Sequence, residues 1–271
     1  MKLKTNLVLT SIALALGALS ASGQTAATTT PAPVPVPESA PTSSWTVTPA
    51  FVSNYMFRGV LLGGTSFQPN VEFDTGNLGI GVWMNFPLDN KVPGVSDPEI
   101  DPYAYYTITL NDSTRIVPGF TWYTYPDADS AAGFYKNTFE PNLALNYTVA
   151  GFKFTPKIYY DFVLKGPTYE LTAAFAVPLK DLASELDFVA TIGTYIWDSA
   201  ADNASPDIKN YGDYYLIGVS APFALKVGKL TVGFAYTEGS SNFYKQGSAP
   251  KVENTAAVGR GVLSVSYAYT F

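Results

Sequence analysis

Hydrophobic and polar residues alternate with a period of two along most of the chain, from Trp45 to the C-terminus. In the segment 65–74, Phe67 and Phe73 alternate with polar neighbours, and the segment 77–86 repeats the pattern after a short turn sequence. A period of two is typical of β-strands whose two faces meet different surroundings, and it fits no helical phase. These two segments therefore predict a β-hairpin.

The same alternation predicts twelve strands, with approximate bounds 45–56, 65–74, 77–86, 100–110, 115–125, 137–149, 152–164, 168–177, 186–197, 213–221, 229–238 and 259–271. Short turns alternate with longer connections rich in Gly, Asp, Asn and Ser, and the connection 165–167 is the one short member of the long set. An even strand number with short turns at one end and long loops at the other is typical of outer-membrane barrels. We therefore predict an all-β fold, an up-and-down antiparallel transmembrane β-barrel.

The phase of the alternation predicts which face meets lipid. Large apolar residues are expected on the outside and small or polar residues in the lumen; in the strand 137–149 the outward set is Leu143, Leu145, Tyr147 and Val149. Prolines remove a ladder donor, so we expect β-bulges or a change of phase where they fall inside strands. Those positions are Pro69, Pro118, Pro141 and Pro156.

The first 44 residues differ from the rest of the chain. Residues 1–23 combine Lys2 and Lys4 with an apolar run and small residues before Gln24, which predicts a cleaved signal peptide and export. Residues 24–44 have no aromatic residue and are rich in Pro, Thr and Ala, which predicts a disordered, solvated tether. The barrel is then expected over residues 45–271.

Composition excludes several classes of function. Charged residues make up 14% of the 271 residues and aromatic residues 15%, and the net charge of −6 disfavours nucleic acid as a partner. The sequence has no Cys and no His, so it offers no disulfide, no thiolate zinc site and no histidine-dependent catalysis. We therefore expect no enzymatic activity, no cofactor and no metal site.

The final strand ends in alternating aromatic residues and closes on Phe271. This ending looks like the targeting signal that is read by the outer-membrane barrel assembly machinery. The resemblance implies that machinery as a partner during insertion.

A motif near the start of the predicted barrel resembles a known family. Ser53, Tyr55, Phe57, Arg58 and Gly59 form a Ser-x-Tyr-x-Phe-Arg-Gly pattern. In this motif and in about the first three strands, the chain resembles the TorF-type outer-membrane porin family, a group of Gcw_chp-like β-barrels. The resemblance implies a bacterial outer membrane as location, membrane lipids as surroundings and small hydrophilic solutes as partners.

Charged and aromatic residues on the polar phase are the candidate pore-lining residues. They are Arg58, Glu72, Glu140, Lys157, Asp161, Glu170, Trp83, Tyr103, Tyr105 and Tyr123. Arg58 could pair with a lumen carboxylate or have a structural role. The inward aromatic residues, with Tyr125, could stack on sugar rings or fill the lumen beside the interfacial girdle.

The expected register of the central hairpins suggests an ion preference. A tight turn at 150–151 pairs Val149 with Phe152 and thus places Glu140 opposite Asp161. The short connection 165–167 is expected to bring Glu170 opposite or beside Asp161. Three carboxylates would then attract cations, unless the nearby basic side chains neutralise them; these are Arg58, Arg115, Lys153 and Lys157.

Two further segments resemble ligand-binding loops only in part. The glycine-rich segment 59–66 lacks the Lys of a phosphate loop and is expected to be a simple loop. Asp97, Glu99 and Asp101 alternate as in a calcium loop, but Pro102 stands where the turn Gly should be. We therefore expect an acidic, solvated loop there.

These observations favour a porin-like channel for passive diffusion of small hydrophilic solutes, with a preference for cations. The alternative is a narrow or plugged outer-membrane barrel with a structural or ligand-binding role. A barrel enzyme acting on envelope lipids and a secreted soluble β-sandwich are the remaining candidates.

Overall fold

The computed structural model describes residues 43–89, 98–128, 135–197, 210–240 and 258–271. The expected signal peptide and the expected tether, up to residue 42, lie outside these ranges. The described chain is built of β-strands and one short 3-10 helix, Lys180–Leu182. The strands are β1 (Ser43–Thr48), β2 (Ala50–Val52), β3 (Tyr55–Phe57), β4 (Val60–Gly63), β5 (Ser66–Phe67), β6 (Asn70–Thr75), β7 (Leu78–Pro87), β8 (Glu99–Tyr106), β9 (Ile108–Asn111), β10 (Thr114–Thr124), β11 (Asn137–Val149), β12 (Phe152–Asp161), β13 (Gly166–Leu179), β14 (Ser184–Trp197), β15 (Asn210–Ala224), β16 (Lys229–Gly239) and β17 (Arg260–Thr270).

These strands close into an antiparallel barrel of twelve wall strands, as predicted. Three wall strands are each interrupted by a short gap in the hydrogen-bond ladder and therefore consist of two segments: β1 with β2, β5 with β6, and β8 with β9. In each case the two segments pair with the neighbouring strand in the same register. The first wall strand pairs with β17 and completes the ring. At this seam Trp45 and Phe271 exchange two backbone hydrogen bonds of 2.9 Å. A closed ring leaves no strand edge unpaired, as lipid requires.

The prolines interrupt the ladders without changing the register. Pro118 lies opposite the break between β8 and β9, and the pairs on either side, Ile116 with Ile108 and Gly119 with Tyr105, share one register. Three more prolines lie beside similar gaps in the ladders, namely Pro69, Pro141 and Pro156. The expectation of bulges or phase changes at these four positions was wrong. A missing N–H removes one ladder bond, and the strands continue straight past it.

The outer face is apolar, and its phase agrees with the prediction. Leu143 is 48% exposed on β11, whereas its neighbour Ala144 is buried on the lumen side. The other three predicted outward residues of this strand are also exposed, namely Leu145, Tyr147 and Val149. Among the described residues no helix is long and apolar enough to cross a membrane.

A charged substitution at Leu143 tests this orientation. We expect Leu143→Arg to lower the free energy of unfolding by about 2 to 4 kcal/mol, because a cation near the bilayer midplane loses its hydration. Leu143→Phe should be tolerated, since a larger apolar side chain still meets lipid. Urea titration of the barrel in lipid vesicles measures both. Equal tolerance of Arg and Phe would contradict the assigned outer face.

The segment between β2 and β5 departs from the prediction, because it forms a β-hairpin inside the barrel. The sequence predicted one strand over 45–56 followed by a loop, whereas β3 and β4 pair only with each other. Tyr55, Met56 and Phe57 are all buried, since the hairpin meets other residues on both faces and thus loses the period of two. Its turn residues, Arg58 and Gly59, have positive φ angles of 47° and 79°, which is the geometry of a tight two-residue hairpin turn.

Candidate functional site in the barrel lumen

The internal hairpin reaches across the lumen from β2 and β5 to the opposite wall. At its tip, Arg58 binds Glu140 on β11. Gly59 lies against the end of β16, where an added Cβ would be 2.2 Å from the backbone nitrogen of Gly239. No side chain fits between these two backbones. The hairpin therefore obstructs the barrel at this level.

Arg58 makes a bidentate ion pair. Its Nη1 donates to Glu140 Oε2 at 2.9 Å and its Nη2 to Glu140 Oε1 at 2.8 Å, and the two side chains are only 6% and 1% exposed. The guanidinium carbon lies 4.7 Å from the ring centres of Phe57 and Tyr159, and Tyr123 donates to Glu140 Oε1 at 3.1 Å. Parallel donors and flanking rings suit arginine, and they fix both partners in one geometry.

An aromatic cluster packs around the hairpin. Tyr55, Phe57 and Val60 of the hairpin contact wall residues from β10 to β15, namely Tyr123, Leu164, Tyr195, Trp197 and Tyr214. Tyr195 and Trp197 are fully buried, and their ring centres are 4.3 Å apart. Trp83 lies at the side of the cluster, 5.7 Å from the Tyr55 ring. Large rings thus occupy much of the lumen near the long-loop end.

Tyrosine hydroxyls bind the lumen carboxylates in pairs. Glu99 accepts hydrogen bonds from Tyr55 at 2.7 Å and Tyr125 at 3.1 Å. Glu170 accepts from Tyr159 at 3.1 Å and Tyr214 at 2.8 Å. Glu72 likewise accepts from Tyr103 and Tyr105. These hydroxyls are therefore used inside the protein, and they fix the positions of the inward rings.

Glycines on neighbouring strands make room for these tyrosines. Gly81 lies opposite Tyr103 across the β7–β8 ladder, and a Cβ on Gly81 would be 2.4 Å from the Tyr103 ring. The same relation joins two further pairs, Gly79 with Tyr105 and Gly193 with Tyr214. A ring that lies flat on a glycine shields its backbone and directs the hydroxyl along the wall.

Gly81→Ala is expected to lower the free energy of unfolding by about 1 to 3 kcal/mol, because the new methyl group displaces the Tyr103 ring from Glu72. Urea titration measures the loss. Adding Tyr103→Ala to Gly81→Ala should cost less than the sum of the two single changes, since the clash is then absent. If the losses of the two single changes simply add, the Tyr103 ring and Gly81 do not interact.

The register of the central hairpins is confirmed in part. Val149 pairs with Phe152, and a hydrogen bond from Phe162 to Phe139 keeps the same register up to Glu140 and Asp161. Asp161 Oδ1 accepts bonds from the backbone of the following turn, Val163 and Leu164, and from Thr138. Asp161 therefore fixes the turn between β12 and β13.

The expected position of Glu170 was wrong. The turn closes between Asp161 and Gly166, not at 165–167, so Glu170 lies opposite Lys157. The Lys157 ammonium also lies 4.6 Å from the centre of the Tyr159 ring. The three carboxylates thus do not form one cluster, because Glu140 pairs with Arg58 and Glu170 faces a lysine.

Glu99 and Asp101 also differ from the prediction, because both are buried on the lumen face of β8 instead of lying in a solvated loop. Asp97 lies outside the described residues. Within the described ranges no group of three or more acidic side chains could hold a metal ion. The alternation did not single out the aromatic residues Tyr159, Tyr195, Trp197 and Tyr214. For Tyr195 and Tyr214 the available signal was the glycine opposite each of them on the adjacent strand.

Residues 38–259 match the family described as "Bacterial protein of unknown function (Gcw_chp)". The chain belongs to the Gcw_chp family. This match covers most of the chain and confirms the resemblance found in the sequence. Together with the closed ring and the apolar outer face, it makes the Gcw_chp chain a bacterial outer-membrane β-barrel.

Solved structures similar to this Gcw_chp chain include outer-membrane proteins. Pseudomonas aeruginosa OprD is 10% identical with a TM-score of 0.38, and the match covers 77% of this chain and 61% of OprD. Acinetobacter baumannii OccAB1 is 10% identical with a TM-score of 0.40, over 81% and 70% of the two chains. LpxR from Salmonella typhimurium is 9% identical with a TM-score of 0.45, over 84% and 100%. The Gcw_chp chain thus spans about three fifths of OprD. The comparison with curated proteins found no match.

Proposed function

We propose that this Gcw_chp protein is a narrow outer-membrane channel for small hydrophilic solutes, in which the hairpin β3–β4 is the constriction. The observation that carries the proposal is the hairpin itself, which lies inside the lumen and forms the ion pair of Arg58 with Glu140 on the wall. Toward the short-turn end the inward residues are small or polar, among them Ala144, Thr191, Ser220 and Ser264. Passive diffusion through this path needs neither catalysis nor cofactor.

Conductance of the purified protein in a planar bilayer tests the proposal. We expect small, reproducible steps in potassium chloride, because the hairpin leaves only a narrow path. A wild-type protein that inserts and never conducts would contradict an open channel.

The second candidate is a plugged barrel with a structural or ligand-binding role. The complete burial of Tyr195 and Trp197 around the hairpin favours it, because solvent does not reach these rings. In this case the wild-type protein is silent in the bilayer and conducts only when the hairpin is removed.

We further propose that the channel prefers cations, and that the acidic residues responsible differ from those that the sequence suggested. Glu72 and Glu99 accept phenol hydroxyls and form no salt bridge with any described residue. Asp101 lies two residues from Glu99 on the same face of β8. These carboxylates have no cation beside them and, where they are ionised, support a negative potential on one side of the lumen.

The reversal potential under a potassium chloride gradient measures this preference. We expect selectivity for potassium that weakens when Glu72→Gln and Glu99→Gln are combined. The matched control is Asp112→Asn, which removes an exposed acid in a short turn and should leave selectivity unchanged. Selectivity for chloride in the wild type would contradict the proposal.

We also propose that Phe271 is read during insertion by the barrel assembly machinery. Its ring is exposed on the outer face, whereas its backbone bonds close the seam with Trp45. Deleting Phe271 would remove both the ring and the backbone bonds. Phe271→Ala removes only the ring and therefore tests recognition of the ring alone. We expect it to lower the yield of heat-modifiable barrel in cells and leave refolding in vitro intact. Wild-type yield in cells would contradict recognition of the ring.

A further inference from the structure

Two cationic side chains face the lumen at the short-turn end with no acid beside them. Arg115 is the second residue of β10 and Lys153 the second residue of β12, so both lie close to the short turns. The cross-strand neighbours of Arg115 are Thr109 and Asn146, and those of Lys153 are uncharged as well, namely Thr148 and Ala174. Neither cation forms a hydrogen bond or ion pair with another residue in the described part of the chain.

Three other lumen cations have nearby acids. Arg58 pairs with Glu140, and Lys157 lies directly opposite Glu170. Lys229 lies within electrostatic range of Asp187. By contrast, the charged group that acts on Lys153 is Arg115, a second cation. Two uncompensated like charges in a confined lumen repel each other, and a bound anion would relieve that repulsion.

Asn146 supplies a third donor between the two cations. It lies on the lumen face of β11, the strand between β10 and β12, directly opposite Arg115. Its Oδ1 accepts a hydrogen bond from the Thr155 hydroxyl at 2.9 Å, which fixes the orientation of the amide. The amide nitrogen donates no hydrogen bond to any residue that the structure describes, so it is available to a ligand.

We propose that Arg115, Asn146 and Lys153 form a binding site for a small oxyanion, a carboxylate or a phosphate, at the short-turn mouth of the lumen. The guanidinium presents a planar set of donors that matches two oxygens of such an anion, and the ammonium and the amide complete the contacts. The acidic residues that we propose for cation preference lie on β6 and β8, so they do not neutralise Arg115 and Lys153. Binding at this mouth does not require an open channel.

Isothermal titration calorimetry of the purified barrel in a zwitterionic detergent tests the site, with sodium phosphate and sodium succinate in separate arms and sodium chloride at equal ionic strength as blank. We expect saturable heat with at least one of the two anions. Arg115→Gln and Lys153→Gln should each weaken binding about tenfold or more, because each removes a charged donor. The matched control, Lys229→Gln, removes a lumen cation near an acid and should bind as the wild type does.

Asn146→Asp provides a second, nearly isosteric variant that keeps the bond from Thr155. It places a negative charge between the two cations and should abolish binding, while heat-modifiable migration shows that the barrel is folded. Absence of saturable heat with both anions in the wild type would overturn the site, and so would unchanged binding in Asn146→Asp. Because the titration measures no current, its result is independent of whether the protein conducts.

Discussion

Removal of the hairpin β3–β4 is expected to raise the single-channel conductance several-fold. The backbone ladders of the wall do not include the hairpin, because β3 and β4 form a separate sheet. Val52 and Ser66 are already paired across the β2–β5 ladder, so a short Gly-Ser linker in place of residues 55–63 can join the two strands at that point. The deletion then removes Arg58 and the hairpin's share of the aromatic cluster from the lumen.

A smaller change serves as a matched comparison for this deletion. Val60→Ala trims one buried hairpin side chain and keeps the hairpin in place, so it should raise conductance far less than the deletion does. Bilayer recordings of the wild type and both variants give the order directly. If the deletion variant inserts as a heat-modifiable barrel and conducts no better than the wild type, the hairpin is not the constriction.

Arg58→Ala is expected to lower the free energy of unfolding by about 3 to 5 kcal/mol. The reason is the burial of Glu140, which keeps a bond from Tyr123 but loses both guanidinium donors when the arginine is removed. An unpaired carboxylate at a site with 1% exposure carries most of its desolvation cost. Urea titration in lipid vesicles, followed by tryptophan fluorescence, measures the loss.

A double-mutant cycle separates the ion pair from other effects of the arginine. Adding Glu140→Gln to Arg58→Ala should recover a large part of the lost stability, because the buried charge is then gone. Arg58→Lys should recover little, since an ammonium cannot form the bidentate pair. A loss in the double mutant that equals the sum of the losses of Arg58→Ala and Glu140→Gln would show that the two side chains are not coupled.

The wall strands and their phase were predictable because lipid imposes one simple requirement at every residue. Leu143 faces outward and Ala144 inward for the same reason, and the tight turn after Val149 fixes the register of its hairpin. Prolines did not disturb this pattern, since losing one donor is cheaper than shifting a whole strand between lipid and lumen.

For the lumen, only the types of residue that face inward could be predicted from the sequence. Polar-phase residues such as Glu140 and Tyr123 do face inward, but the ion-pair partner of Glu140, Arg58, lies 82 positions away, and no local pattern specifies that pair. A turn that closes at Gly166 placed Glu170 opposite Lys157. The inward hairpin could not be predicted either, because its apolar residues Tyr55 and Phe57 also fit the alternation that is expected of a wall strand.

The position of the hairpin in the chain has a consequence for the order of folding. Arg58 and Glu140 are 82 positions apart, and Gly59 docks against the end of β16, which is synthesised much later. The docking surface therefore does not exist until most of the barrel wall has formed. Such distant contacts form slowly, so the hairpin enters its site as one of the last events of assembly. Protease resistance of residues 55–63 should accordingly appear after the wall strands from β10 to β16 have paired.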